Sequence, residues 1–261
     1  MNLSKLHIKQ AALPSEHGSW GFVLEPLILT LMIAYSPAGF LLSITAFFLF
    51  LSHQPMKNIF KKYKNKRLLN ASLLFLIIYL LISFFCFSLV FSEIKFYSLI
   101  FFVVAIVIMI FYFFLELLGK NRNLISEMIV PISISIIALS IYSIKTLQIE
   151  FIIAFFFVLL ARSIPTIFYV HAKLLLIKKK KPKNSTSIIS GNLFSIILFI
   201  SAVLGYSPYL AVVASLLLLI RTYIGLFVSK DNIKIRTFGI WEFIYGGLFV
   251  VITAAGYILK I

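Results

Sequence analysis

Long apolar runs, separated by short polar segments, follow one another along this chain from residue 18 to residue 259. A helix needs roughly 20 apolar residues to cross a hydrocarbon layer about 30 Å thick, and its backbone groups must be bonded within the segment. The sequence therefore predicts an all-α polytopic membrane protein, a single transmembrane domain over residues 1–261. About nine helices are predicted, at approximately 18–36, 38–54, 68–92, 96–118, 124–144, 149–171, 188–205, 208–228 and 239–259.

Composition excludes a water-soluble protein and decides how the positive charge is interpreted. Hydrophobic residues make up 62% of the chain and charged residues 12%, against roughly half and a quarter in soluble proteins. The formal charge of +16 lies in short basic clusters between the apolar runs, as expected for contact with anionic lipid head groups. We therefore predict a bilayer with anionic lipids at its cytoplasmic face as the partner, and no nucleic acid.

The distribution of Lys and Arg predicts the orientation of the chain. With the N-terminus inside, most basic residues fall in inner segments, and the outer segments hold only Lys95, Lys145 and Lys260. Because cytoplasmic loops carry the excess of Lys and Arg, this places the N-terminus inside and the C-terminus outside. The first 18 residues show no removable signal peptide. Heavy use of Phe, Ile and Lys resembles a prokaryotic composition, so we predict a multi-pass protein of the cell inner (cytoplasmic) membrane.

Polar side chains inside the apolar runs are the candidates for function, because an ionisable group within a bilayer usually faces a cavity or a partner. The segment 14–20 (PSEHGSW) has the highest density of side chains that could take part in binding or catalysis, namely Glu16, His17 and Trp20. Glu25 lies about two turns deeper. Glu16 and Trp20 are four residues apart and share a helix face. This segment has two equally good interpretations, a helix cap with an interfacial Trp or part of a binding site.

Arg162 and Arg221 lie within predicted helices and must find an acid, a carbonyl or an anion. One interpretation pairs them with Glu25, Glu127 or Glu242. The other places them in a polar cavity on the cytoplasmic side, where the arginine fork of donors binds an anionic ligand.

Further polar residues cluster near the predicted cytoplasmic ends of helices. Tyr169 shares a helix face with Arg162, and His171 follows it, although a lone His there is more often an interfacial residue. Trp241-Glu242 repeats the aromatic-plus-acid pattern of the first helix and suits an interface anchor equally well. Glu116 lies one turn before Lys120, and this spacing favours an ordinary ion pair between the two side chains at a helix end.

Motifs of familiar soluble-enzyme chemistry are missing. The chain has no HExxH, GxSxG, Walker A or GxGxxG pattern, and its one cysteine, Cys86, lies within an apolar run. Four scattered histidines do not form a metal site. We therefore predict no cofactor and no metal.

The chain resembles the YwiC-like family of bacterial membrane proteins along its whole length. The likeness rests on the segment 14–20 followed by Glu25-Pro26, on Arg162-Ser163-Ile164-Pro165 with Tyr169, and on Trp241-Glu242. The first of these motifs is fairly specific and the later ones are weaker. The resemblance implies no particular activity.

Nine helices with the N-terminus inside are also similar to the topology of the UbiA-type prenyltransferases, which implies a UbiA-like bundle. Those enzymes bind magnesium and a prenyl diphosphate through two aspartate-rich motifs at the cytoplasmic ends of helices two and six. The corresponding places here hold His53-Gln54-Pro55 and residues 162–171, without an aspartate. The likeness therefore does not extend to magnesium-dependent prenyl transfer.

Two functional hypotheses follow. In the first, a UbiA-like bundle binds a lipid or isoprenoid anion in a cytoplasm-facing cavity; whether it is also an enzyme stays open, and any enzyme would be a diverged prenyltransferase-like transferase. In the second, the intramembrane Glu and Arg residues line the path of a small transporter or channel component. The candidate ligand-binding residues are Glu16, His17, Trp20, Glu25, His53, Arg162, Tyr169, His171, Arg221 and Glu242.

Overall fold

A computed structural model describes residues 10–14, 17–61, 65–119, 124–179, 184–228 and 235–261, apart from the side chains of residues 17–19 and 125. Within these ranges the chain forms nine helices of at least 15 residues and no strand. They are α1 (His17–Ile33), α2 (Pro37–Phe60), α3 (Lys66–Val90), α4 (Phe96–Leu117), α5 (Leu124–Tyr142), α6 (Ile149–Ile177), α7 (Asn184–Val203), α8 (Tyr209–Tyr223), which continues as a π-helical turn (Ile224–Val228), and α9 (Ile235–Leu259). The prediction of an all-α fold is confirmed.

Among the described residues, seven helices are long and apolar enough to cross a membrane. The other two contain shorter apolar stretches, Trp20–Ile33 in α1 and Ser126–Tyr142 in α5. The chain is therefore a polytopic helical membrane protein. The count of nine spans and the orientation of the two termini stay predictions.

Local sequence explains where several helices begin and end. Ser36 caps α2 by accepting a hydrogen bond from the backbone N–H of Gly39 at 3.0 Å, and Pro37 starts the helix. Asn65 caps α3 in the same way through the N–H of Arg67. Beyond the ends of α4 and α7, Gly119 and Gly205 adopt positive φ, a conformation that glycine reaches without strain.

Helix α2 continues six residues beyond its predicted end at residue 54, although Pro55 lies inside it. A proline removes one helical donor, and the continued turns bring Asn58 against α3, where its side-chain amide donates to the hydroxyl of Ser72 at 3.0 Å. Helix α6 likewise runs through Pro165 and ends at Ile177 rather than near residue 171. Both extensions lengthen the helices toward lysine-rich segments.

The helices pack as two groups that share α1 and α5. One apolar core is formed by α1 to α5, and the other by α1 and α5 to α9. Helix α1 lies directly against α5 on one side and α9 on another, and α6 contacts α5, α7, α8 and α9. This packing brings the middle of α1 next to α9 and to the middle of α6, and the buried charges lie there and in the last turn of α8.

Candidate functional site

Four ionisable side chains from four helices meet inside the second helix group. Glu25 comes from α1, Arg162 from α6, Arg221 from α8 and Glu242 from α9, and the first three are buried. Arg162 is 13 residues from the start of α6, which places it about 20 Å along the helix axis. We call these four residues the charge network.

Glu25 and Arg162 form the inner pair of the network. The guanidinium Nε lies 2.7 Å from one carboxylate oxygen of Glu25, and NH2 donates to the other at 2.9 Å. Such a two-point contact is the geometry that suits an arginine fork to a carboxylate. Gly246 of α9 faces the pair, and a Cβ atom at that position would overlap both the carboxylate and the guanidinium.

Arg221 and Glu242 form the outer pair. Arg221 NH1 donates to a Glu242 carboxylate oxygen at 2.6 Å, and the side chain of Glu242 is 14% exposed, more than any other member of the network. The guanidinium of Arg221 also lies over the ring of Tyr169, 4.4 Å from its centre, and 5.7 Å from the ring of Tyr245. Such stacking stabilises a cation in a site with little water.

Thr166 connects the two pairs. Its hydroxyl accepts a hydrogen bond from Arg162 NH1 at 2.7 Å and from Arg221 NH2 at 3.4 Å, and it donates to the carbonyl of Arg162 at 2.7 Å. All polar nitrogens of Arg162 thus face Glu25 or Thr166. The buried Nε atoms of both arginines lack a geometrically formed hydrogen bond within the described ranges, but that of Arg162 lies 2.7 Å from Glu25. Arg221 contacts its own carboxylate partner, Glu242, through NH1 and not through Nε.

The charges of the network balance. Two arginines face two glutamates, so the cluster is neutral when all four are ionised, which lowers the cost of burying them. The structure gives each arginine the kind of partner that one interpretation of the sequence expected: Glu25 for Arg162 and Glu242 for Arg221. Glu127, the third acid considered, lies at the surface.

Next to the outer pair, a groove of about 400 Å³ opens on the outside of the bundle. Two of its lining residues are polar, Arg221 at its base and Tyr245 on α9. The rest are apolar residues of one stripe along α8 and the π-helical turn: Val213, Leu216, Leu217, Ile220 and Ile224. A second, much smaller void of about 10 Å³ adjoins Glu25 and Arg162, which is room for about one water molecule.

Tyr169 belongs to the outer pair, as its spacing from Arg162 on α6 suggested. It is buried, its ring packs edge-on against Phe238 of α9, and its hydroxyl sits against the backbone of the π-helical turn. A Cβ atom at Gly225 would overlap that hydroxyl. The π-helical turn and Gly225 therefore leave space for the Tyr169 side chain, whose ring packs over the guanidinium of Arg221.

Of the remaining predicted residues, those whose side chains the structure describes do not join the network. Trp20 packs against Phe47 and Phe50 of α2, and His171 is exposed at the end of α6 that follows Tyr169. Glu16 and the side chain of His17 lie outside the described residues.

His53 lies in a separate cluster between α2 and α4. Its Nε2 atom is 2.6 Å from one oxygen of Glu116, and Lys57 Nζ is 2.6 Å from the other. The sequence favoured Lys120 as the partner of Glu116, but Lys120 lies outside the described residues. The pairing with Lys120 therefore stays a prediction. Glu116 is buried and links α4 to α2, because the continued turns of α2 beyond Pro55 carry Lys57 to it.

Sequence reasoning missed Thr166, Tyr245, Gly246 and Lys57. Helical spacing held a signal for two of them: Thr166 follows Arg162 by four residues, and Gly246 follows Glu242 by four, so each shares a face with a charge. Nothing in the sequence linked Lys57 to Glu116 across two helices. Among the described residues, no group of three or more metal-binding side chains occurs, and the absence of a metal stays a prediction.

Part of the chain matches the model of a known protein family. The family model described as "YwiC-like protein" matches residues 13–142. That range ends with α5 and includes Glu25, whereas Arg162, Arg221 and Glu242 lie beyond it. No curated protein and no solved structure matches the chain, so the UbiA-like packing stays a prediction.

Proposed function

We propose that this chain, whose residues 13–142 match the YwiC-like family model and which folds as a polytopic helical membrane protein, binds a lipid or isoprenoid anion. The anionic group would contact Arg221, and the hydrocarbon chain would lie in the neighbouring groove. The observation that carries the proposal is the position of a buried arginine, with an unpartnered Nε, at the base of an apolar groove.

Arg221 is a better contact for the anion than Arg162, on which the sequence placed equal weight. Each nitrogen of Arg162 already faces Glu25 or Thr166, and no wall of the larger groove is formed by Arg162. Arg221 lines the groove, and its Nε donor is unused. Its contact with the carboxylate of Glu242 is made by a single nitrogen, NH1. In this proposal Arg162 is a positioning residue that holds Thr166 and Glu25.

The groove has the chemistry of a hydrocarbon site. Its apolar stripe runs from Val213 to Ile224, about 16 Å along the helix axis, and its volume falls within the usual range of ligand pockets. Val213, Leu216 and Ile220 are exposed on the outer surface of the bundle, so a lipid could enter sideways from the bilayer. With the predicted orientation, the anion would lie on the cytoplasmic half of the groove and the chain would extend toward the membrane centre.

Native mass spectrometry of the purified protein tests the proposal. Phosphatidylglycerol, phosphatidic acid and farnesyl diphosphate would each be titrated with and without magnesium, alongside a neutral phosphatidylcholine. We expect retention of at least one anionic probe over the neutral lipid, and loss of that preference in Arg221→Gln. Arg67→Gln, which removes an exposed arginine from α3, is the matched control and should bind like the unaltered protein. Equal retention of neutral and anionic lipids would refute the proposal.

A second pair of variants tests the groove itself. Leu216→Trp would fill it, whereas Leu193→Trp would add the same ring to the exposed surface of α7; the two leucines are similarly exposed. Binding should fall only in Leu216→Trp. Equal binding by both variants would show that the hydrocarbon chain lies elsewhere.

A transporter or channel component is the second candidate function, and one observation favours it. Pro26 and Pro165 each remove a backbone donor inside the continuous helices α1 and α6, beside Glu25 and Arg162, and α8 passes into a π-helical turn just beyond Arg221. The helices that form transporter sites are often irregular at those sites. Movement of a bound anionic lipid between the leaflets of reconstituted vesicles, abolished by Arg221→Gln, would favour transport over binding alone.

A further inference from the structure

The balance of charges in the network constrains what accompanies an anion into it. Glu25 and Glu242 offset Arg162 and Arg221, and no other charged side chain of the described residues is in contact with these four. A further anion would leave the cluster with a net negative charge. In a site with little water, uncompensated charge costs several kcal/mol, so a cation or a proton is expected to enter with it.

We infer that binding of an anion at Arg221 is coupled to the uptake of one proton by the carboxylate of Glu242. The inference rests on the proposed function and concerns its regulation. The proton comes from the aqueous phase, protonates the oxygen that faced Arg221 NH1, and is released again when the anion leaves. No covalent bond other than this O–H bond forms or breaks.

Glu242 is the group that fits this role, and Glu25 is not. Glu25 makes two contacts with Arg162, a guanidinium that the proposed anion would not engage. Glu242 has one close contact, at 2.6 Å, with the same guanidinium that the anion would engage. It is also the most exposed member of the network, so water can deliver a proton to it.

The surroundings of Glu242 contain few other groups that titrate. Helix α1 presents Glu25, α6 presents Arg162 and Tyr169, α8 presents Arg221, and α9 itself contributes Tyr245. Arginine stays protonated across the accessible pH range, and Glu25 remains held by Arg162. A change in protonation on binding therefore points to Glu242. His53 lies in the separate cluster with Glu116 and does not contact the network.

The experiment is a titration of the purified full-length protein with probes whose own charge does not change. Phosphatidylglycerol and a farnesyl sulfonate both keep a single negative charge between about pH 6 and pH 9. For each probe, the dissociation constant would be measured across that range by isothermal titration calorimetry. Repeating the titration in two buffers of different ionisation enthalpy counts the protons taken up directly.

We expect the dissociation constant to rise tenfold per pH unit over part of the range, with one proton taken up per anion bound. Glu242→Gln should bind both probes with a dissociation constant independent of pH, and more tightly than the unaltered protein at the alkaline end. Glu93→Gln, an exposed acid in the turn after α3, is the matched control and should keep the dependence.

The outcomes separate this inference from the proposed function. Binding of either probe without proton uptake, or an unchanged pH dependence in Glu242→Gln, would overturn the coupling and leave the lipid-anion site standing. Failure of both probes to bind at any pH would overturn the site and the coupling together.

Discussion

Gly246→Ala is the most direct test of the packing around the inner pair. Gly246 lies on the face of α9 that approaches Glu25 and Arg162, and an added methyl group would overlap atoms of both side chains. The methyl group cannot be accommodated without separating the carboxylate from the guanidinium or moving α9 away from α1. Its neighbour Gly247 provides the matched control, since a Cβ atom there would meet nothing within 4 Å.

The expected loss of stability follows from two opposing contributions. Separating a buried ion pair typically costs about 3–5 kcal/mol, while replacing glycine by alanine within a helix gains about 1 kcal/mol. Gly246→Ala should therefore lower the free energy of unfolding by about 2–4 kcal/mol, which is roughly a 30- to 700-fold change in the folding equilibrium. Gly247→Ala should leave it unchanged or raise it by up to about 1 kcal/mol.

The free energies would be measured by unfolding the purified variants in mixed micelles with increasing mole fractions of dodecyl sulfate. A triple variant in which Glu25→Ala and Arg162→Ala accompany Gly246→Ala separates the two contributions, because neither the charges nor the overlapped side-chain atoms are left. Its stability should not fall further than that of Glu25→Ala with Arg162→Ala alone. Equal stability of Gly246→Ala and Gly247→Ala would refute the close approach of α9 to the pair.

Two further predictions concern the rest of the chain. Glu116→Gln should lower the free energy of unfolding by about 1–3 kcal/mol, because Lys57 loses its carboxylate partner. Adding Lys57→Met should recover part of that loss. If stability is not recovered, the two residues contribute independently. In a Cys86→Ala background, Lys145→Cys should react in intact cells with an impermeant maleimide, whereas Lys178→Cys should not. The reverse labelling would refute the orientation with the N-terminus inside.

Much of the fold could be predicted because membrane helices are specified locally. An apolar run of sufficient length must be helical in lipid whatever its neighbours are, so the predicted start of α6 at residue 149 and that of α4 at residue 96 agree with the structure. The ends were harder to place, since α2 and α6 both continue six residues beyond their predicted ends at residues 54 and 171. In α2 the turns beyond Pro55 are stabilised by contacts from Asn58 and Lys57 to other helices, and such contacts leave no local pattern.

The site was only partly predictable, for a related reason. The cost of a charge in lipid identified Arg162, Arg221, Glu25 and Glu242 as residues that need partners, but four such residues can be paired in more than one way. The choice depends on the contact of α1 with α9 and on the room that Gly246 leaves between them. Packing of that kind depends on residues far apart in the chain, and single-sequence periodicity does not contain it.

The two ion pairs differ in a way that separates stability from binding. The inner pair has a two-point contact, lies against α9 at a glycine, and adjoins a void with room for only one water molecule. The outer pair has a single contact between charges, a free donor on Arg221 and an open groove beside it. In the proposed function, an anion would therefore replace the carboxylate beside Arg221 in the outer pair, while the inner pair would continue to hold α1 against α6. Thr166 contacts both arginines, and Arg162 NH2 also donates to the backbone carbonyl of Glu242 at 3.5 Å, so a change at Arg221 would have two routes to the inner pair.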